Sequence, residues 1–161
     1  MKATRIPSPR SFRFGKPRRL SLAETGTTHT ISYLTKPSDC VQESGPGREW
    51  SDKPPVVASA AIIRLCEQVC MQALLAVTPH GHCSLGNGQQ FEHSGPVVIG
   101  AEIRLTARCV KAQGSYSRWQ VTVLDAHGRV GTGWMAFVIV SKTTFETREV
   151  APKYAALAQR G

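Results

Sequence analysis

The chain has 161 residues, 41% of them hydrophobic, and a formal net charge of +9. That length is most simply one domain with enough chain for a real core, and no apolar run approaches the roughly 20 residues of a membrane span, so no membrane partner is expected. The charge is uneven: Lys2, Arg5, Arg10, Arg13, Lys16, Arg18 and Arg19 stand in an acid-free stretch, leaving only about +2 for everything after it.

Residues 1–20 are rich in Arg, Ser and Pro, and no apolar stretch follows the charges, so they do not form a secretory signal. Pro7, Pro9 and Pro17 also oppose the amphipathic helix of an organelle transit peptide. A disordered basic tail ahead of a single domain over 21–161 is expected. Nothing base-reading accompanies the tail, so no nucleic-acid partner is expected. Cys40, Cys66, Cys70, Cys83 and Cys109 are odd in number and show no disulfide framework, which points to a reducing, cytoplasmic location.

Threonines and Ile31 predict an edge strand over 24–34. Residues 35–55, with Pro37, Gly45, Pro46, Gly47, Pro54 and Pro55, read as a long loop. Loops of that length are often lids or binding loops, and Trp50 is this one's notable apolar side chain. A helix then starts near Ala58 or Ser59. Ile62, Leu65, Cys66, Val69, Cys70, Ala73, Leu74 and Val77 recur at three- and four-residue intervals and give it a broad apolar stripe. Thr78-Pro79 and Gly81 stop it.

The remainder reads as strands over 83–93, 102–109, 116–124 and 130–140, the last three at hairpin spacing, with a short terminal helix over 149–159. One strand, a long apolar helix and a meander predict an α+β fold in which a curved antiparallel sheet wraps a central helix.

Three polar residues flank this helix or its following strand, each with an ordinary explanation. Ser59 has the place of an N-cap. Glu67 lies three residues after Arg64, the spacing of a surface ion pair. His93 ends a strand, where a backbone hydrogen bond would satisfy it, although histidine can also exchange protons near neutral pH. His80-Gly81-His82-Cys83 lacks a second cluster at zinc-like spacing and reads as a turn, so no metal is expected.

The intervals between these residues carry more than any one of them. Val57-Ala58-Ser59 is followed eight positions on by Glu67. Gly86 precedes His93 by seven, Gly100 follows it by seven, and Gly131-Thr132-Gly133 comes near the end. The set resembles the fluoroacetyl-CoA thioesterase branch of the hot-dog-fold thioesterases, over roughly residues 22–145. That resemblance implies a hot-dog fold, a homodimer with sites at its interface, and hydrolysis of acyl-CoA or another acyl thioester, with CoA as part of the substrate and no separate cofactor. It makes Ser59, Glu67 and His93 the catalytic residues, with Ser59 in place of the family's Thr. Gly86 would offer a backbone N–H to the thioester oxygen, and Trp50 would match the first lid aromatic. Lys53 stands where the family has its second lid aromatic. Trp134-Met135-Ala136-Phe137 replaces a polar His-Glu-Arg, so the hydrolase activity is expected to carry over better than the fluorinated substrate.

The chemistry is consistent. A thiolate whose conjugate acid has a pKa near ~8.5 leaves with little help, so the site must chiefly polarise the carbonyl and activate a nucleophile, which could be Ser59, Glu67 or water. A hot-dog hydratase or dehydratase and a non-catalytic acyl-thioester binder are the competing readings.

Overall fold

A computed structural model describes residues 23–159. The basic tail of residues 1–20 lies outside them. Five strands, β1 (Thr28–Leu34), β2 (His82–His93), β3 (Glu102–Gln113), β4 (Tyr116–Asp125) and β5 (Gly128–Ser141), form one antiparallel sheet in the order β1-β3-β4-β5-β2. Four α-helical segments accompany the strands: α1 (Arg48–Ser51), α2 (Ser59–Leu75), α3 (Lys142–Phe145) and α4 (Ala151–Ala158). This is the hot-dog arrangement, with α2 held against one face of the sheet.

The apolar stripe read from the sequence is the face that α2 buries. Ile62, Leu65, Cys66, Val69, Cys70 and Leu74 are fully enclosed, whereas Ala73 and Val77 lie at the margin. They meet the inward rungs of the sheet, among them Ile103, Leu105, Ala107, Trp119, Val121, Met135 and Phe137. Each large apolar side chain buried this way contributes about 1.5–3 kcal/mol. Strict alternation in β3 and β4 places these residues on one face. The register shifts between Gly86 and Gly88, Cys109 and Lys111, and Val123 and Leu124, and such irregularities bend and twist strands, curving the sheet around the helix. No helix among the described residues is long and apolar enough to cross a membrane.

Several boundaries differ from the sequence reading. The terminal helix begins at Lys142, seven residues earlier than expected, and reaches α4 through a π-turn over Glu146–Val150. The Ser141 hydroxyl caps it by accepting from the Thr144 N–H; a cap directly abutting a strand leaves no Gly/Pro signal. The 35–55 loop is partly ordered, with 3-10 turns over Pro37–Asp39 and Val41–Glu43 besides α1. Its neck is closed where Cys40 bridges Val57 and the Val41 N–H donates to the Val56 carbonyl, 2.8 Å away.

Candidate active site

Ser59, Ile63 and Glu67 are spaced four apart on α2 and therefore share one face of the helix. On β2 the residues paired with Phe137, Met135, Gly133 and Gly131 are Gly86, Gln89, Phe91 and His93. Met135 and Phe137 are buried core residues, so this set of β2 positions faces α2.

Helix and strand meet at two places. At the first, Ser59 Oγ lies 2.8 Å from His93 Nδ1. At the second, the Glu67 carboxylate lies against Gly86: a Cβ on that glycine would sit 3.3 Å from Glu67 Oε1. A larger residue at 86 would thus crowd the carboxylate. The two pairs are separated by eight helical residues, about 12 Å along the axis, so within one chain the structure brings Ser59 to His93 and Glu67 to Gly86 without merging the pairs.

Two ordinary explanations give way here. Ser59 is not the N-cap: Ala58 is, with no side-chain cap bond, and Ser59 is the first helical residue. Its hydroxyl goes to the imidazole instead. Arg64 does not pair with Glu67 but reaches Asp39, with Nη2 3.2 Å from Oδ1. Among the described residues Glu67 has no ion-pair partner. His93 Nε2 is buried with no hydrogen-bond partner there either. Trp50 is half-buried within α1 and its indole packs back onto Gly45 of the same loop. No hydrogen bond among the described residues ties it to Ser59, Glu67, Gly86 or His93.

Asp39 was not singled out from the sequence. It is 3% exposed and accepts from the Tyr33 hydroxyl (2.9 Å), the Lys36 N–H (2.9 Å) and Arg64 (3.2 Å). Its own carbonyl accepts from the Ala58 N–H at 2.8 Å. One residue thus ties β1, the neck of the 35–55 loop and the start of α2 together, directly before Ser59. Burial, together with the Asp39 carboxylate beside it, pushes the Tyr33 phenol above its ordinary pKa. No local pattern marks an aspartate in a Pro/Gly loop as buried.

The two thiols on α2, Cys66 and Cys70, are not candidate nucleophiles. Burial pushes Cys66 up to about 12, and burial with neighbouring acidic groups raises Cys70 as well. Both stay protonated at neutral pH, and the thiolate is the reactive form.

A model of the fluoroacetyl-CoA-specific thioesterase family, FlK, matches residues 36–143, a span containing Trp50, Ser59, Glu67, Gly86 and His93. The chain belongs to that family. It is a thioester hydrolase of the FlK type. The fluoroacetyl-CoA thioesterase of Streptantibioticus cattleyicolor is 24% identical over 130 residues, covering 79% of this chain and 94% of that protein. A solved structure of the fluoroacetyl-CoA thioesterase FlK superposes with a TM-score of 0.75 at 22% identity, covering 78% of this chain and 94% of that one. A thioesterase superfamily member from Thermus thermophilus superposes at 0.70 with 21% identity, covering 85% and 94%. At these identities the structural likeness shows the hot-dog fold; membership of the FlK family rests on the family match.

Proposed function

We propose that this protein hydrolyses a short or medium acyl-CoA to the free acid and CoA, using Ser59, His93, Glu67 and Gly86 drawn from two copies of the chain. The observation that carries the reading is the Ser59–His93 hydrogen bond. A serine hydroxyl donating to an imidazole nitrogen is the arrangement in which the proton can leave as the oxygen attacks. In this reading Ser59 Oγ bonds to the thioester carbon, its proton passes to His93 Nδ1, and the carbon–sulfur bond breaks to release the CoA thiolate. The thiolate takes that proton from His93, and the neutral imidazole then deprotonates a water that cleaves the acyl-serine ester, the proton returning to Ser59 Oγ.

A developing oxyanion needs a donor and an attacking water needs an acceptor, and the Glu67–Gly86 pair offers both kinds of group at the far end of the same helix face. The open edge of the sheet supports their arrival from a second copy. β2 is an edge strand of twelve residues, and a long unpaired edge is a template for another strand. Counted across the register shift between Gly86 and Gly88, Gly86 (opposite Phe137) and His93 (opposite Gly131) have their midpoint at Gln90, opposite Trp134. Antiparallel pairing of β2 with its copy about that midpoint sets Gly86 opposite the partner's His93, and a two-fold axis produces the arrangement twice. The same pairing gives the buried His93 Nε2 a polar neighbour in the partner's Glu67.

The FlK enzyme itself has been seen in complex with fluoroacetate and CoA, and with acetyl-CoA, in engineered variants, which supports an acyl-CoA substrate here. The test is thiol release from a panel of acyl-CoAs. Turnover on at least one short or medium member is expected. Conversion of enoyl chains without thiol release would favour the hydratase reading, and binding without either reaction the non-catalytic one.

A further inference from the structure

We propose that Phe91 sets the acyl-chain length this thioesterase accepts and restricts it to short acyl groups. The inference rests on the reading that the thioester carbonyl lies at Ser59 and His93.

Phe91 is two residues before His93 on β2 and points to the same, helix-facing side. Its intervening neighbours face away: Glu92 is exposed, and Gln90 accepts a hydrogen bond from Trp134 Nε1 on the opposite face of the sheet, at 3.0 Å. The phenyl ring does not stand straight over its own partner, Gly133. It leans across Gly131, where a Cβ would overlap the ring, and Gly131 is the residue paired with His93. The ring therefore occupies the ground directly beside the imidazole.

The two glycines explain why it can. At Gly133 a Cβ would collide with the Gln90 carbonyl and the Phe91 backbone, so a residue without a side chain is required for β2 and β5 to approach this closely. At Gly131 the missing side chain is the seat of the ring. Phe91 is partly buried and packs on the hydrophobic core, so its inner edge is fixed while its outer edge borders the site. Across from it, Ile63 is the apolar residue between Ser59 and Glu67 on the helix face, and it too packs on the core. An acyl tail running inward from the carbonyl meets an aromatic ring after a short distance. The open depression lined by Gln90, Arg118, Gln120 and Trp134 lies on the far face of the sheet and cannot receive it.

Truncating the ring should convert occupied volume into room for methylenes, each worth roughly fourfold in affinity when buried, from about 0.8 kcal/mol per group. The experiment measures kcat/KM for straight-chain acyl-CoAs from acetyl to octanoyl with wild type, Phe91→Ala and Phe91→Leu, after a melting curve for each. Wild type should lose at least about tenfold between butyryl and octanoyl. The octanoyl-to-acetyl ratio should rise by about tenfold or more in Phe91→Ala and by less in Phe91→Leu, which conserves more of the core should the alanine variant not fold. An unchanged ratio in whichever variant folds, or a wild type that already prefers octanoyl, would overturn the role of Phe91 alone. A wild type releasing thiol from none of the substrates would overturn the hydrolase reading and this inference with it.

Discussion

Ser59 and His93 are 34 positions apart in sequence, and their side chains meet at 2.8 Å between Oγ and Nδ1. The contact exists because the first turn of α2 lies over the C-terminal end of β2. It joins two residues that each had an ordinary local explanation.

Removing either member should therefore be costly. His93→Ala and Ser59→Ala are each expected to lower kcat by about 100-fold or more, the size typical of lost acid–base assistance. Glu67→Gln should do the same while keeping shape. A folded variant that retains wild-type turnover in the thiol-release assay would show that its residue has no part in the chemistry.

If the two pairs join across a two-fold axis, inactive proteins should complement. Ser59→Ala and Glu67→Gln, mixed under conditions that exchange subunits, would regain up to about one working site in each mixed dimer. Exchange verified by mass spectrometry without recovered activity would place both residues in one subunit's site. A monomer by light scattering would remove the shared site altogether.

Asp39 should matter for stability and for the site next to it. Asp39→Asn loses the charge that Arg64 faces and weakens the bonds from Tyr33 and Lys36. A cost of about 1–3 kcal/mol is expected, moderated because the Arg64 side chain is 55% exposed and its pairing is partly screened by solvent. For a chain of this size that is several degrees in Tm by calorimetry. Arg64→Met and Tyr33→Phe should each cost less than Asp39→Asn. Equal melting temperatures for Asp39→Asn and wild type would mean that the carboxylate contributes no net stability.

The buried thiols predict an alkaline limit. Cys66 titrates near 9.0 when exposed and is pushed up to about 12 in the fold. Above pH 9 the unfolded chain therefore gives up protons that the native state keeps, and stability falls as pH rises from about 9 toward 12. Cys70 and Cys109, also raised by burial, act in the same direction. Denaturant midpoints should be higher at pH 8 than at pH 10, and Cys66→Ser/Cys70→Ser should flatten the difference. At pH 8, alkylation followed by mass spectrometry should modify half-buried Cys83 well before Cys66 or Cys70.

The sequence by itself determined the elements and the family. The apolar stripe from Ile62 to Leu74 and the alternation in 102–109 report directly which side of a helix or strand must leave water, so the central helix and the meander were legible. The intervals Ser59 to Glu67 and Gly86 to His93 survive as spacing alone, which is why they pointed to the thioesterase family. Tertiary structure decided which of those residues meet. Ser59 went to His93 rather than to its own helix N–H groups, and Arg64 went to Asp39 rather than to Glu67, because contacts between elements depend on how α2 lies across the sheet, which local periodicity does not encode. Asp39 and Phe91 were hidden for the same reason. A loop aspartate becomes buried only when β1, the loop neck and α2 converge on it. A strand phenylalanine comes to lie beside His93 only when the glycines of the adjacent strand leave it a seat.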